Sequence, residues 1–275
     1  MLTSPGRHSG LFESLPPDIA GLTRVGHGLL IHEYLTHFYD VELSDEDREP
    51  VHLRAVEQLL TAITERDGRP LDVPRAPGER TAANCRHFTV LLVSILQARG
   101  VRARARCGFG AYFNEGMHED HWVCEYWDGA RWVLVDSQID EVQHARFPID
   151  FDLTDVPRDR FLTAGAAWQL CRAGKADPDT FGLSMFNETG YWWIAANMVR
   201  DAAALVGVPL LPWDVWGSMP EPEDTVDMAF FDRLAALTEH PDAPTDELRN
   251  LLRDDERIRV PAKVRNMARK REEAI

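Results

Sequence analysis

The sequence feature that most constrains the fold is AANCRHFTVLLVSILQARG, residues 82–100. Its apolar residues lie at helical spacing and also fill most of the remaining helix surface. They are Phe88, Val90, Leu91, Leu92, Val93, Ile95 and Leu96. A helix that is apolar on most sides must be covered by other elements, so the pattern predicts a central buried helix. Asn84 is the predicted N-cap, Cys85 the first helical residue and Gly100 the residue after the end.

A strand pattern follows this helix. In VRARARCGFGAYF, residues 101–113, apolar residues alternate with arginines, and a period of two indicates a β-strand. The side chains of Arg102, Arg104 and Arg106 would share one face of that strand. We predict a solvated or salt-bridged face. The alternative is a surface that recognises an acidic substrate or a carboxylate.

Residues 120–138, DHWVCEYWDGARWVLVDSQ, predict a β-hairpin. The Asp-Gly pair between two strand patterns favours a two-residue type I′ turn. In that register Trp127 pairs with Ala130, and His121 lies directly opposite Asp136. Side chains of directly paired residues point to one face, with Cβ atoms about 4.5–5.5 Å apart. The pattern therefore predicts a histidine–aspartate hydrogen bond, which a slip of one residue would destroy.

A histidine held by a carboxylate suits catalysis by a nucleophile. The carboxylate fixes the tautomer of the ring and stabilises the imidazolium form. Cys85 is the candidate nucleophile, because the N–H groups and dipole at a helix N-terminus favour a thiolate and help to stabilise an oxyanion. We therefore predict Cys85 as nucleophile, His121 as base and acid, and Asp136 as the orienting group.

The two stretches NCRHFTVLLVSILQARGVRARARCGF and HEDHWVCEYWDGARWVLVDSQ resemble the transglutaminase-like superfamily, over about residues 75–140. Cys85, His121 and Asp136 match the three catalytic positions of that family. The resemblance implies an α+β, papain-like core, in which a buried helix begins with the nucleophile and packs on an antiparallel sheet. His87 departs from the pattern, since an acidic residue is expected two places after the nucleophile, and it would alter the charge near the thiolate.

The resemblance implies a cysteine-dependent amidase or acyl transferase that acts on a carboxamide or peptide bond. In such chemistry a thiolate attacks a carbonyl, a thioester acyl-enzyme forms with loss of an amine, and water or another amine resolves it. The expected partners are peptide, protein or small amide substrates, and the second oxyanion donor must come from upstream of Cys85. The alternative is a catalytically silent member that serves as a binding or scaffold protein. The complete triad favours the enzyme.

Three segments are expected along the chain: 1–44 packs on the core, 45–145 is the transglutaminase-like core, and 146–275 is a mostly helical C-terminal extension. Apolar spacing predicts helices over residues 27–40 and 45–66. The stretch YWWIAANMVRDAAALVGVPLLPWDVWG resembles a segment that bacterial members of uncharacterised function carry after the core.

Two features of the C-terminal extension have alternative interpretations. Residues 257–275, RIRVPAKVRNMARKREEAI, predict an exposed or frayed helix, and a basic docking arm is the alternative. Five tryptophans are predicted to belong to the core, with an aromatic wall around a substrate cleft as the alternative. They are Trp168, Trp192, Trp193, Trp213 and Trp216.

The net charge of −15 disfavours nucleic acid as the main partner, because an acidic surface repels phosphates. No run approaches the roughly 20 apolar residues of a membrane helix, so no membrane partner is expected. The N-terminal stretch MLTSPGRHSGLFESLPPDIAG lacks the pattern of a secretory signal, and the expected location is the cytoplasm. The oligomeric state stays open.

The remaining cysteines and histidines indicate no cofactor. The four cysteines are widely spaced, which argues against a disulfide scaffold or a zinc site. Cys107, Cys124 and Cys171 are predicted to be buried. The sequence His118-Glu119-Asp120-His121 lacks HExxH spacing, so no metal is expected, and His118 and Asp120 are predicted to be loop residues at the rim of the cleft.

Overall fold

The fold combines helices with mostly antiparallel strands, which makes it α+β. The computed structural model describes residues 1–241 and 243–275. It divides into two compact units, and two strands run through both. The first unit consists of Met1–Ala105 and Trp122–Pro157, and the second of Arg106–His121 and Arg158–Ile275. The three predicted segments along the chain stay a prediction.

The elements that belong wholly or partly to the first unit follow one another from residue 19 to residue 144. They are α1 (Ile19–Leu29), β1 (Leu30–His32), α2 (Asp45–Arg48), α3 (Val56–Arg66), β2 (Thr81–Ala83), α4 (Cys85–Ala98), β3 (Ala103–Gly110), β4 (His118–Trp127), β5 (Trp132–Val135) and α5 (Glu141–His144). The second unit contains the end of β3 and the beginning of β4.

Helix α4 is the buried helix that the sequence predicts. Every residue from Cys85 to Leu96 is buried. The helix begins directly after Asn84, and the chain leaves it through Gly100 at φ 76°. Glycine suits that position because it adopts positive φ without steric cost. Helices α1 and α3 pack against α4, as an all-round apolar helix requires.

The two helices predicted before α4 have the wrong bounds. Helix α1 ends at Leu29, and Leu30–His32 form β1, which pairs in parallel with β2. The predicted helix over 45–66 is divided into α2 and α3 by a 3-10 helix at Glu49–His52 and three non-helical residues. Pro50 explains the break, because proline lacks the N–H that an α-helix needs and clashes with the preceding turn.

The predicted two-residue turn of the hairpin is wrong. Strands β4 and β5 are antiparallel and end in the pair Trp127↔Trp132, so four residues connect them. The Asp128 carboxylate accepts hydrogen bonds from the backbone N–H groups of Ala130 (2.7 Å) and Arg131 (2.8 Å). The Asp128 N–H donates to the Arg131 carbonyl at 3.1 Å. Asp128 therefore closes a longer turn with its own side chain, which moves the register by two residues.

The second unit adds elements from residue 161 to residue 274. They are β6 (Phe161–Thr163), α6 (Ala164–Arg172), β7 (Phe181–Leu183), β8 (Glu188–Thr189), α7 (Tyr191–Leu205), β9 (Asp214–Val215), α8 (Met228–Thr238), α9 (Asp246–Asp254), β10 (Lys263–Asn266) and β11 (Arg271–Ala274). Its main sheet has the order β6-β3-β4-β7-β8. Helix α7, which is buried from Ile194 to Leu205, packs against α6 and α8.

The predicted C-terminal helix over 257–275 is also wrong. Strands β10 and β11 form an antiparallel hairpin, and β10 also pairs with β9. Along β10, the exposed residues Lys263 and Arg265 alternate with the buried residues Val264 and Asn266. This period of two suits a strand with one covered face and outweighs the helix propensity of the basic residues. Across residues 1–241 and 243–275, no helix combines the length and apolarity needed to span a bilayer.

Candidate functional site

Cys85 is the first residue of α4, and its side chain is a free thiol. Strand β2 leads into it through Asn84, and Cys85 is 7% exposed. The first turn of a helix has N–H groups without partners inside the helix, and the helix dipole is positive there. The sulfur thus lies at the end of α4 that favours negative charge.

His87 closes the first turn of α4. Its Nε2 lies 3.0 Å from the Leu53 carbonyl, and its Nδ1 lies 3.3 Å from the Asn84 backbone N and 2.9 Å from the Asn84 side-chain Oδ1. Burial, followed by the neighbouring charge of Arg86, lowers the pKa of His87 well below its usual value. The ring is therefore neutral, donates from Nε2 to the Leu53 carbonyl and accepts the Asn84 backbone N–H at Nδ1. A neutral His87 where the family pattern has an acidic residue leaves that position without a negative charge, which is a change of charge near Cys85 as the sequence predicts.

Asp136 follows β5 directly and is 1% exposed. Its backbone N–H donates to the Leu153 carbonyl at 2.9 Å, and its Oδ1 accepts from the Gln138 N–H at 3.0 Å. The Asp136 carboxylate also interacts electrostatically with His27 of α1. Burial lowers the pKa of His27, and the negative charges of Asp140 and Asp136 oppose that shift. These contacts hold the Asp136 carboxylate in one position within the first unit.

His121 lies in β4 and is 2% exposed. Three aromatic rings of the second unit surround its imidazole in tilted, edge-on orientations. The ring of Phe113 is 4.8 Å away by centroid, that of Tyr112 is 6.1 Å away and that of Phe161 is 6.4 Å away. Packing between rings restricts the rotation of the imidazole. The sequence did not predict these ring contacts. Phe161 lies 40 residues after His121, and no local pattern indicates that the two residues meet.

The observed strand pairing does not place Asp136 opposite His121. The pairs of β4 and β5 run from Trp127↔Trp132 to Cys124↔Val135, and β5 ends there. The direct His121–Asp136 pair predicted for the hairpin is therefore wrong. The catalytic roles of both residues remain a prediction from the family pattern.

Comparison with known families identifies the segment that carries these residues. Residues 48–137 match the model of the transglutaminase-like superfamily. The match confirms the predicted resemblance, covers about a third of the 275 residues and includes Cys85, His121 and Asp136. The transglutaminase-like segment runs from the last residue of α2 to two residues past β5. No curated protein and no solved structure shows a significant match to the chain.

His118 and Asp120 precede His121 in the transglutaminase-like segment. The prediction that they are loop residues is wrong, because both belong to β4. The His118 ring stacks on Phe181 with centroids 4.1 Å apart and planes 10° apart. The Asp120 carboxylate accepts from Trp193 Nε1 at 2.8 Å and from Asn197 Nδ2 at 3.1 Å. Asp120 thereby joins β4 to α7.

Two of the three arginines in the stripe form salt bridges and Arg102 is exposed, as the first interpretation predicted. Arg104 Nε lies 2.6 Å from Glu125 Oε2, and both side chains are buried or nearly so. Arg106 Nη2 lies 2.9 Å from Asp201 Oδ2 in the second unit, and that pair is buried. These two guanidinium groups are neutralised within the protein, which argues against recognition of an acidic substrate by them.

Burial is confirmed for the three cysteines predicted to be core and for two of the five tryptophans. Cys107 and Cys124 are fully buried, and Cys171 is 5% exposed. Trp168 and Trp216 also belong to the core. The partly exposed tryptophans are Trp192, Trp193 and Trp213.

A cleft of about 550 Å³ opens in the first unit, and the sequence offered no signal for it. Its lining combines the apolar side chain of Val25 with the polar groups of His27, Arg80 and Asp140. Arg80 Nη1 lies 3.6 Å from Asp140 Oδ2, so these two charges face each other across part of the lining. Cys85 is not among the residues that line this cleft.

Proposed function

We propose that the protein is a cysteine-dependent amidase or acyl transferase that acts on a carboxamide or peptide bond. The observation that carries the proposal is the position of Cys85, the first residue of a buried helix inside the segment that matches the transglutaminase-like superfamily. The superfamily match supports acyl transfer or hydrolysis through a cysteine thioester. The presence of His121 and Asp136 in the same segment supports a complete triad.

In the proposed mechanism His121 removes the proton from the Cys85 thiol, and Asp136 orients the imidazole and stabilises its charged form. The thiolate attacks the carbonyl carbon, and N–H groups in the first turn of α4 stabilise the oxyanion that forms. Collapse of this intermediate expels the amine, which takes its proton from His121. Water, or a second amine, then gives a proton to His121 and attacks the thioester, which frees Cys85.

The surroundings of Cys85 bear on the substrate. Cys85 is only 7% exposed, so a substrate must reach into the protein to meet its sulfur. A carbonyl group at the end of a flexible side chain can do this more readily than a carbonyl group in the backbone of a folded protein. The neutral ring of His87 adds no charge to the positive potential that the α4 N–H groups provide at the sulfur. We therefore propose a side-chain carboxamide or an extended peptide as the acyl donor.

Labelling with a thiol-reactive probe between pH 5 and 9 tests the nucleophile, because the probe reports the thiolate. We expect one fast-reacting thiol in the unmodified protein. Its reaction should be absent in Cys85→Ala and at least tenfold slower in His121→Ala. Cys171→Ala is the control and should still show the fast reaction. Equal, slow labelling of every thiol would favour the catalytically silent scaffold. Ammonia release from glutamine peptides, with and without a primary amine, then separates hydrolysis from transfer.

A further inference from the structure

Glu33 lies beside the chain that enters α4. Strands β1 and β2 are parallel, with His32 paired to Ala83. The Glu33 N–H donates to the Ala83 carbonyl at 2.9 Å, so the pairing continues one residue beyond the strand. That register places Glu33 next to Asn84, at the usual strand separation of about 4.8 Å. Glu33 is thus the neighbour across the sheet of the residue that immediately precedes Cys85.

The Glu33 carboxyl group lacks the partners that a buried carboxylate needs. Its side chain is 8% exposed, and its Oε1 has no hydrogen-bond partner among residues 1–241 and 243–275. The nearest cation is Arg48, whose Nη1 lies 3.8 Å from Glu33 Oε2, beyond hydrogen-bond distance. An ionised carboxylate in such a place is costly, whereas a neutral acid is tolerated and carries a proton to donate.

We infer that the protonated Glu33 carboxyl group is the second oxyanion donor of the proposed reaction. This inference rests on the proposed function, since it requires Cys85 to attack a carbonyl. The N–H groups of α4 approach the oxyanion from the helix, and Glu33 donates to it from the end of β1, upstream of Cys85 as the mechanism requires. Glu33 keeps its proton throughout, so no bond to it forms or breaks.

The titration of Glu33 agrees with this role. Burial raises the pKa of Glu33 to about 7, and Arg48 counteracts the shift. A Cys85 thiolate nearby would further favour the neutral acid, because like charges repel. The other titratable or charged groups on the elements around Glu33 belong to β1 and the residues after it, to the segment 49–52 and to the start of α4. They are His32, Tyr34, Glu49, His52, Arg86 and His87.

Two reactions of the same thiol test the inference. Acylation of Cys85 by p-nitrophenyl acetate passes through an oxyanion, whereas alkylation by iodoacetamide does not. The ratio of the two rates cancels the thiolate fraction and reports the oxyanion hole alone. We expect this ratio to fall about 100-fold in Glu33→Ala, because loss of one oxyanion donor costs about that much. In the unmodified protein the ratio should also fall as the pH rises through about 7.

Glu33→Gln provides the second variant, because its amide donates a hydrogen bond without titrating. We expect its ratio to stay within about tenfold of the unmodified protein and to be flat from pH 5 to 9. Glu13→Gln, at an exposed glutamate, is the matched control and should leave the ratio unchanged. An unchanged ratio in Glu33→Ala, or a flat ratio in the unmodified protein, would overturn the inference alone. Reaction of Cys85→Ala at the unmodified rate would overturn the proposed function together with it.

Discussion

Arg106 and Asp201 form a buried ion pair, with Nη2 of the arginine 2.9 Å from Oδ2 of the aspartate and side-chain exposures of 3% and 0%. Asp201 also accepts the Cys107 N–H at 2.8 Å, and Arg106 also lies 3.0 Å from the Glu239 carboxylate. The pair therefore joins β3 to α7 and to the end of α8 within the second unit. Removal of one partner would leave the other charge buried without compensation.

We expect Arg106→Ala to lower the free energy of unfolding by about 3–5 kcal/mol, as the loss of one partner of a buried ion pair does. Urea unfolding measures the change. Arg233→Ala is the matched control, because Arg233 pairs with Glu247 on the surface, where a pair contributes about 1 kcal/mol or less. Equal losses in the two variants would show that burial of the Arg106–Asp201 pair has no energetic consequence.

The pH dependence of stability should reveal Glu33. Its pKa is about 7 in the folded protein against 4.5 for the free group, so the folded state holds a proton that the unfolded state releases between these values. Stability from this group is complete below pH 4.5 and is lost as the pH rises through about 7. The free energy of unfolding of Glu33→Gln, minus that of the unmodified protein, should therefore be on the order of 2–3 kcal/mol higher at pH 8 than at pH 4.5. Chemical unfolding at both pH values checks this, with Glu13→Gln expected to show no such gain.

His87 should act in the opposite direction. Burial keeps the pKa of His87 well below the ordinary 6.5. Below about pH 6.5 the unfolded state therefore binds a proton at this residue that the folded state does not bind. Stability should decline as the pH falls below about 6.5, by roughly 1.4 kcal/mol per unit. In His87→Gln this part of the decline should be missing, whereas the exposed His144→Gln should retain it. Denaturant midpoints between pH 7 and 5 provide the comparison, and parallel curves for all three proteins would contradict a neutral buried His87.

The turn between β4 and β5 offers a test of backbone conformation. Gly129 has φ 108°, a region that side chains disfavour, although a Cβ there would meet no atom within 4 Å. Gly129→Ala should cost about 1 kcal/mol or more through backbone strain alone. Gly10→Ala is the matched control, because that site is equally open and has no positive φ. A thermal melt of each variant measures the difference, and equal melting temperatures would remove the argument from strain.

The candidate site was only partly accessible from the sequence. The placement of Cys85 at the start of α4 depends on Asn84 and on helical spacing, both of which are local. The ring cage of His121 depends on Phe161, which β6 brings to β3 through strand pairing. The partners of His87 include the carbonyl of Leu53, 34 residues earlier in the chain. Contacts of this kind leave no periodicity in the sequence, so pattern analysis could not find them.

Local physical chemistry in the sequence determined the buried helix α4, the strands β3 to β5 and the location of the turn between β4 and β5, because side-chain periodicity and Asp-Gly preferences act over a few residues. Tertiary structure alone decided the hairpin register, the strand conformation of the C-terminal residues and the parallel pairing that places Glu33 beside Asn84. The physical reason is that register and pairing depend on hydrogen bonds between separate segments, which for β1 and β2 lie about 50 residues apart in the chain. The free energy of those bonds is realised only when both partners are present.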